Sequence, residues 1–387
     1  MSSRRVLFAC ACLGLLTFGI VLTTLGSMLP SIMERFGIDK AQAGSLFLLM
    51  TLGILAASLI FGPLVDRYGY KGILLAAVAL IALGLEGIAF ATSLGWLRAA
   101  VIVIGFGGGI INGGTNALVA DISTDGRAAN LNLLGVFFGV GAMGVPFALG
   151  VLVNRYSQTA LIAGVGALVL VPFAVIAAAG FPAPKQPQGF PISDARRLVR
   201  DRLLLLMGLM LFLESGIEIT VGGWTSTFVT EVLAVPARNA LIILSLYWMG
   251  MMLARVALGY ILRRTSPFSV LYICLVIALA GAGVLLTTQS AGLAASGVFM
   301  LGVGFAAMFP TVLGFVGDRY STLSGTAFSV AIAMALCGGM LLPYAAGLIG
   351  MRYGMRGSFA IVPAALIVLG GLLGILMRNL RAPSPTS

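Results

Sequence analysis

The feature that most constrains this chain is a run of about twenty apolar residues that recurs along its whole length. A helix needs roughly 20 such residues to cross a hydrocarbon core about 30 Å thick. Lipid offers no partner to backbone N–H and C=O groups, so only helices and closed barrels can span it. Twelve runs are read at 6–29, 42–62, 72–91, 97–120, 131–153, 160–181, 203–227, 239–262, 267–288, 292–316, 325–349 and 357–378. They are continuous and rich in Gly and Ala, as packed helices are, whereas a barrel would need alternating segments of about ten residues. The expected fold class is an all-α membrane protein of twelve transmembrane helices. Arg4 and Arg5 before the first run give it the look of a secretory signal, but its length and the eleven runs behind it favour a first spanning helix. A charged content of 9%, against about 25% in soluble domains, agrees with a chain solvated by lipid.

The net charge of +11 would suggest a nucleic-acid partner were it not for where the positive residues fall. With the N-terminus inside, the inner loops and tails take Arg4, Arg5, Arg67, Lys71, Arg127, Lys185, Arg196, Arg197, Arg200, Arg202, Arg263, Arg264, Arg319, Arg378 and Arg381. The outer side takes only Arg35, Lys40, Arg98, Arg155, Arg238, Arg352 and Arg356. This is the positive-inside distribution, and it places both termini in the cytoplasm of a bacterial inner membrane. The expected partners are the bilayer and a small-molecule substrate, with no nucleic acid and a monomer as the working unit. Cys10, Cys12, Cys274 and Cys337 all fall inside predicted spans and the chain has no histidine. No disulfide, metal site, cofactor or catalytic constellation is expected, and the chain is not read as an enzyme.

After the sixth run the pattern breaks at Pro182-Ala183-Pro184-Lys185-Gln186-Pro187 and a basic stretch follows to Arg202. The expected organisation is an N-terminal six-helix bundle at 1–181, a cytoplasmic linker at 182–202 and a C-terminal bundle at 203–387. A shift of 197 residues lays one side of the linker on the other without gaps, carrying Arg67 to Arg264, Asp121 to Asp318, Pro146 to Pro343 and Arg155-Tyr156 to Arg352-Tyr353. Gly19/Gly216, Gly26/Gly223, Gly53/Gly250, Gly62/Gly259, Gly105/Gly302 and Gly141/Gly338 fall in the same frame. Six helices return the chain to its starting side, so the halves form a parallel repeat.

Between the second and third runs stands Gly62-Pro63-Leu64-Val65-Asp66-Arg67-Tyr68-Gly69-Tyr70-Lys71. It resembles the signature loop G-x-x-x-D-R-x-G-x-[RK] of the major facilitator superfamily, in the matching loop and on the matching side. The resemblance implies that superfamily's fold, two pseudo-symmetric bundles working by alternating access, and a gating loop made of Gly62, Asp66, Arg67, Gly69 and Lys71. Gly62 would permit close helix approach, while Asp66 can accept bonds from a neighbouring helix N-terminus and pair with an arginine. The second half keeps Gly259 and Arg264 but has Arg263 where an aspartate would fall, so its loop is degenerate.

Ionisable residues inside spans are costly and mark function by default. Glu214 and Glu218 lie four residues apart, on one face of the seventh helix. Two carboxyl groups so close in a dry site can bind and release a proton between them, and their oxygens also suit a sodium ion. The expected coupling ion is therefore a proton or sodium. Glu86 on the third helix reads as structural, and Arg255 as a group that snorkels, pairs with an acid or gates. Asn112 and Asn116, again four apart, offer amide donors and acceptors suited to a neutral polyhydroxylated ligand. Trp224, Tyr247, Trp248 and Phe309 could present flat faces to a sugar ring. If the first, fourth, seventh and tenth helices line the cavity, as in the superfamily, Thr23, Asn112, Asn116, Glu214, Glu218 and Phe309 can face it.

Gly216-Ile217-Glu218-Ile219-Thr220-Val221-Gly222-Gly223-Trp224, and a stretch from Asn116 through Leu131-Asn132-Leu133 to Gly139-Val140-Gly141-Ala142, are similar to the fucose-permease branch. That branch includes sugar–proton symporters and sodium-dependent glucose transporters. The likeness implies an ion-coupled symporter of a sugar or similar small neutral solute. It departs where the branch places a first-helix aspartate and a fourth-helix glutamate, which here are Gly26 and Asn112. The alternative is an efflux antiporter, whose fifth-helix Gly-Pro motif is broken at Gly144-Val145-Pro146 and whose fourth-helix arginine is Val101. A non-transporting sensor would need a signalling domain, and the tail after the last span is short.

Overall fold

A computed structural model describes residues 3–123, 127–183, 200–320 and 324–381. The linker between 184 and 199 lies outside the described residues. The rest is helical: α1 (Arg4–Phe36), α2 (Lys40–Tyr68), α3 (Tyr70–Ala89), α4 (Leu94–Ile122), α5 (Arg127–Leu152), α6 (Gln158–Ala178), α7 (Arg202–Leu233), α8 (Ala237–Ile261), α9 (Pro267–Thr287), α10 (Ala291–Phe305), α11 (Met308–Arg319), α12 (Ser324–Phe359) and α13 (Ile361–Arg381). Together they give twelve segments long and apolar enough to cross a membrane, α10 and α11 making one of them between Ala291 and Arg319.

Local chemistry sets the helix limits. Asp39 accepts from the Gln42 amide while the Gln42 side chain accepts from the Asp39 amide, a reciprocal cap that starts α2. Ser93, Ser157, Ser266 and Asp201 cap α4, α6, α9 and α7 in the same sense. Gly37 ends α1 at φ 60°, a left-handed turn that suits glycine. The tenth span is broken by Pro310, which has no N–H to donate and whose ring crowds the carbonyl four residues back, at Ala306. α12 is longer than the predicted run because a second short helix continues beyond a bend at Gly354, where φ is 73°.

Packing repeats between the halves. A Cβ on Gly105 of α4 would strike the Met50 carbonyl of α2, and one on Gly302 of α10 would strike the Tyr247 carbonyl of α8. Those are the same two places 197 residues apart. Gly53 with Ile102 and Gly250 with Phe299 repeat the contact from the other side. Small residues let helix backbones touch in the absence of a hydrophobic drive between helices, and a methyl here would cost about 1–3 kcal/mol by overpacking.

The halves meet where α1 crosses α7, α2 crosses α12 and α5 crosses α8. Contact is concentrated on the membrane side away from the termini. A Cβ on Gly26 would meet the Gly222 carbonyl and the Cα of Gly223, its own counterpart in the repeat. The Ser226 hydroxyl donates to the Gly26 carbonyl at 2.8 Å, and Trp224 Nε1 donates to the Pro343 carbonyl at 3.0 Å. Lys40 pairs with Glu231 at 2.9 Å at the outer rim. These contacts close most of this face, leaving a small cleft of about 60 Å³ bordered by Ser27, Leu149, Ser226 and Leu241.

Candidate functional site

On the side of the termini the helices part around a cavity of about 470 Å³. It is walled by Leu131 and Gly135 of α5, by Arg255, Leu258, Gly259 and Leu262 of α8, by Pro267, and by Ala306, Ala307, Phe309, Pro310, Thr311, Gly314, Phe315 and Asp318 around the broken tenth span. Nothing stands within 4 Å of where a Cβ on Gly259 or on its counterpart Gly62 would lie. Among the described residues, then, no side chain or backbone packs against Gly62.

The two glutamates sit at the centre of α7. Glu214 is fully buried and neither of its carboxyl oxygens accepts from a described donor, while the Glu218 carboxyl lies close enough to share a proton with it. Glu218, one turn on, is only partly buried, and its backbone carbonyl accepts from the Tyr247 hydroxyl of α8 at 3.4 Å. Arg255, eight residues along α8, acts electrostatically on both carboxyl groups and on Tyr247. Among the described residues no ion pair joins it to either glutamate. Its Nε is buried without a partner, and its guanidinium lies 5.8 Å from the centre of the Phe138 ring. These groups form one electrostatic centre, of which Arg255 also lines the cavity.

The aromatic residues expected to face a ligand divide. Phe309 lines the cavity. Trp224 is pinned in the outer seal, tilted against Phe47. Tyr247 and Trp248 stack edge to face at 4.9 Å in a buried pile with Phe305 and Phe138, and the Trp248 indole lies over Gly222. Thr23 is buried, its hydroxyl donating to the Gly19 carbonyl one turn back at 2.9 Å. Asn116 Nδ2 donates to Asn112 Oδ1 at 3.1 Å and to the Asn112 carbonyl at 2.9 Å. Gly108 packs on Val21 of α1 and Gly113 on Phe61 of α2, so this amide pair occupies the strip of α4 between those faces. Glu86 lies against Gly166 of α6, away from the centre, as its structural reading implies.

The signature loop is reduced to one residue. α2 runs to Tyr68, Gly69 turns with φ 76° and α3 begins at Tyr70. The Arg67 guanidinium lies over the Tyr68 ring, 5.3 Å from its centre. The Asp66 side chain is outside the described residues. Next to the loop, the Tyr70 hydroxyl donates to Asp121 of α4 at 2.6 Å. In the other half the Tyr320 hydroxyl donates to Asp201, which starts α7, also at 2.6 Å. Burial raises the Asp201 carboxyl, but the bonds from Tyr320, Leu204 and Leu203 and the charge of Arg319 outweigh it and hold the group below the usual aspartate range.

Sequence reasoning passed over Thr311 and Asp318. The signal for both was Pro310, which breaks a span at mid-membrane and turns the following residues toward a cavity. Thr311 Oγ1 is buried there without a hydrogen-bond partner.

The family profile described as Major Facilitator Superfamily matches residues 11–334. The 3-(3-hydroxy-phenyl)propionate transporter of Escherichia coli (strain K12) is 28% identical, over 98% of this chain and 95% of its own. The glucose/mannose transporter GlcP of Bacillus subtilis (strain 168) is 20% identical, over 96% of this chain and 94% of its own. The crystal structure of a D-xylose-proton symporter overlays with a TM-score of 0.80 at 14% identity, covering 96% of this chain and 97% of that one.

Proposed function

Because the chain belongs to the Major Facilitator Superfamily, a family of small-solute transporters, we propose that it is a proton-coupled symporter working by alternating access. The observation that carries this reading is Glu214, a fully buried carboxyl at the centre of α7 that accepts from no described donor and has only the neighbouring Glu218 carboxyl to share a proton with. An ionised carboxylate in that setting is expensive, and the group avoids the cost by carrying a proton. Glu218, more open and one turn away, is the relay between Glu214 and the cavity. A bound sodium ion would ask for oxygen donors around the carboxyl, so the proton is the better-supported coupling ion. With the termini in the cytoplasm of a bacterial inner membrane, the cavity faces inward and the seal outward. The residues that line the cavity all come from one chain, which supports a monomer as the working unit.

Rocking of the halves about the α1–α7 crossing would open the seal and close the cavity. The Lys40–Glu231 pair and the Trp224 and Ser226 bonds would break, and the gating loop at Gly62, Asp66, Arg67, Gly69 and Lys71 would engage. For the solute, the Asn112–Asn116 pair and the GlcP-like relative support a sugar, whereas the E. coli relative supports an aromatic acid. No observation favours export.

The test is uptake into proteoliposomes under an imposed pH or sodium gradient, with Glu218→Gln beside the wild type. A pH gradient should drive accumulation in the wild type, and Glu218→Gln should lose accumulation at least about tenfold while keeping exchange, as removal of a proton relay does. Accumulation that follows sodium alone, or is untouched in Glu218→Gln, overturns the proposal.

A further inference from the structure

We infer that Arg255 and Thr311 form a carboxylate-binding site, so that the carried solute is a small organic anion with an apolar body. The inference rests on the transporter reading above and names the substrate class of that cavity. It stands on two residues that line one cavity and that each carry a buried polar atom without a partner among the described residues: the Nε–H of Arg255, which only donates, and the Thr311 hydroxyl, which can donate. Buried polar groups are normally satisfied, and two such orphans on the wall of one space point to a ligand that would complete both side chains. Both are oriented as donors, and a guanidinium binds carboxylates with matched geometry.

The surroundings agree. Around the two donors stand Leu258, Phe309 and Phe315, a wall suited to a hydrocarbon or aromatic ring and poor in the acceptors a sugar needs. The break at Ala306-Ala307 turns the first turn of α11, the positive end of its dipole, to the same space. Four other titratable groups face Arg255. Glu214, Glu218 and Tyr247 flank it in the core, and Asp318 lines the same cavity near its mouth. Among the described residues no ion pair joins Asp318 to Arg255. The Asn112–Asn116 amides bond to each other and are outside this wall.

The experiment titrates the purified full-length protein with benzoate, with benzamide of the same shape but no charge, and with glucose, by calorimetry. A charge-assisted hydrogen bond is worth about 1.5–3 kcal/mol, so benzoate should bind at least about tenfold more tightly than benzamide. Arg255→Gln should erase that preference and Arg255→Lys should restore part of it, with unchanged melting temperatures reporting intact folds. Equal binding of acid and amide, or a preference that survives Arg255→Gln, overturns the inference, as does binding of glucose alone. Counterflow in proteoliposomes, corrected with protein-free vesicles, separates the two proposals. Benzoate exchange that ignores a pH gradient would defeat proton coupling and leave the carboxylate site standing. Gradient-driven glucose uptake without benzoate uptake would do the reverse.

Discussion

The two halves of this transporter repeat each other in backbone and differ in charge. Every ionisable group at the centre of the C-terminal half has a small or apolar counterpart 197 residues earlier: Glu214 matches Thr17, Glu218 matches Val21, Tyr247 matches Met50 and Arg255 matches Ser58. Thr17 and Ser58 spend their hydroxyls on carbonyls of their own helices, Leu13 and Ile54. Conversely, Asn112 matches Phe309 and the unbroken α4 has Gly113 where α11 has Pro310. Duplication preserved the close helix crossings, while these buried ionisable groups stand in one bundle. A rocking mechanism needs matched hinges, whereas a proton site needs only one low-dielectric place.

The largest expected contrast tests that division. Glu214→Gln should abolish gradient-driven accumulation, a loss of at least about a hundredfold, as expected when a buried group that must change charge is fixed neutral. Thr17→Val at the matching place removes only a bond within one helix and should leave uptake within about twofold. Equal losses in the two variants would mean that the halves share the coupling work.

A second contrast should vanish. Gly105→Ala and Gly302→Ala each force a methyl against a neighbouring backbone carbonyl, so both should destabilise the protein by about 1–3 kcal/mol, read as matching falls in melting temperature. Unequal falls would show that one bundle relaxes where the other cannot.

How far the sequence alone reaches follows the same line. The glycines at Gly105, Gly302, Gly26 and Gly223 were legible because backbone contact admits almost no other residue, and the glutamates because lipid makes carboxylates conspicuous. The role of Trp224 was not legible. An indole beside a glutamate reads equally as a ligand platform or as a pin, and only the position of the Pro343 carbonyl on another helix decides for the pin. Arg255 and Thr311 were separated by two helices in sequence, and their shared cavity depends on how a broken span folds back. The signature loop was recognisable by pattern, yet what its glycine at position 62 packs against was not, since no described atom stands within 4 Å of a Cβ there.

A third contrast concerns arginines that do one job from different places. Arg35 at the end of α1 donates to the Ala89 and Ala91 carbonyls that close α3, at 3.0 and 2.6 Å. Arg356, in the short helix that ends α12, donates to the Leu286 and Thr288 carbonyls that close α9, which are the same positions in the repeat. The residues matching the arginines themselves are Val232 and Thr159, so each half solved the exposed-carbonyl problem separately. Arg35→Met and Arg356→Met should each lower stability by about 1–2 kcal/mol, and the double variant should be additive because the sites are far apart. A strongly non-additive result would indicate that the outer ends of the bundles are coupled.

The smallest expected effect lies at the inner edge, where Tyr70–Asp121 joins α3 to α4 within one half and Tyr320–Asp201 joins the end of α11 to the start of α7. Asp201 is held below the usual aspartate range, so it adds stability that is present above about pH 4 and is lost as the pH falls through its lower folded value. Tyr320→Phe removes the principal bond holding it there. Its melting temperature should therefore sit slightly below that of the wild type at pH 6 and converge with it as the pH falls below the usual aspartate range and the carboxyl becomes protonated in both. A gap that persists or widens in acid would assign the bond to packing of the phenol ring, and would leave the charge of Asp201 with only its helix-capping bonds to the Leu203 and Leu204 amides.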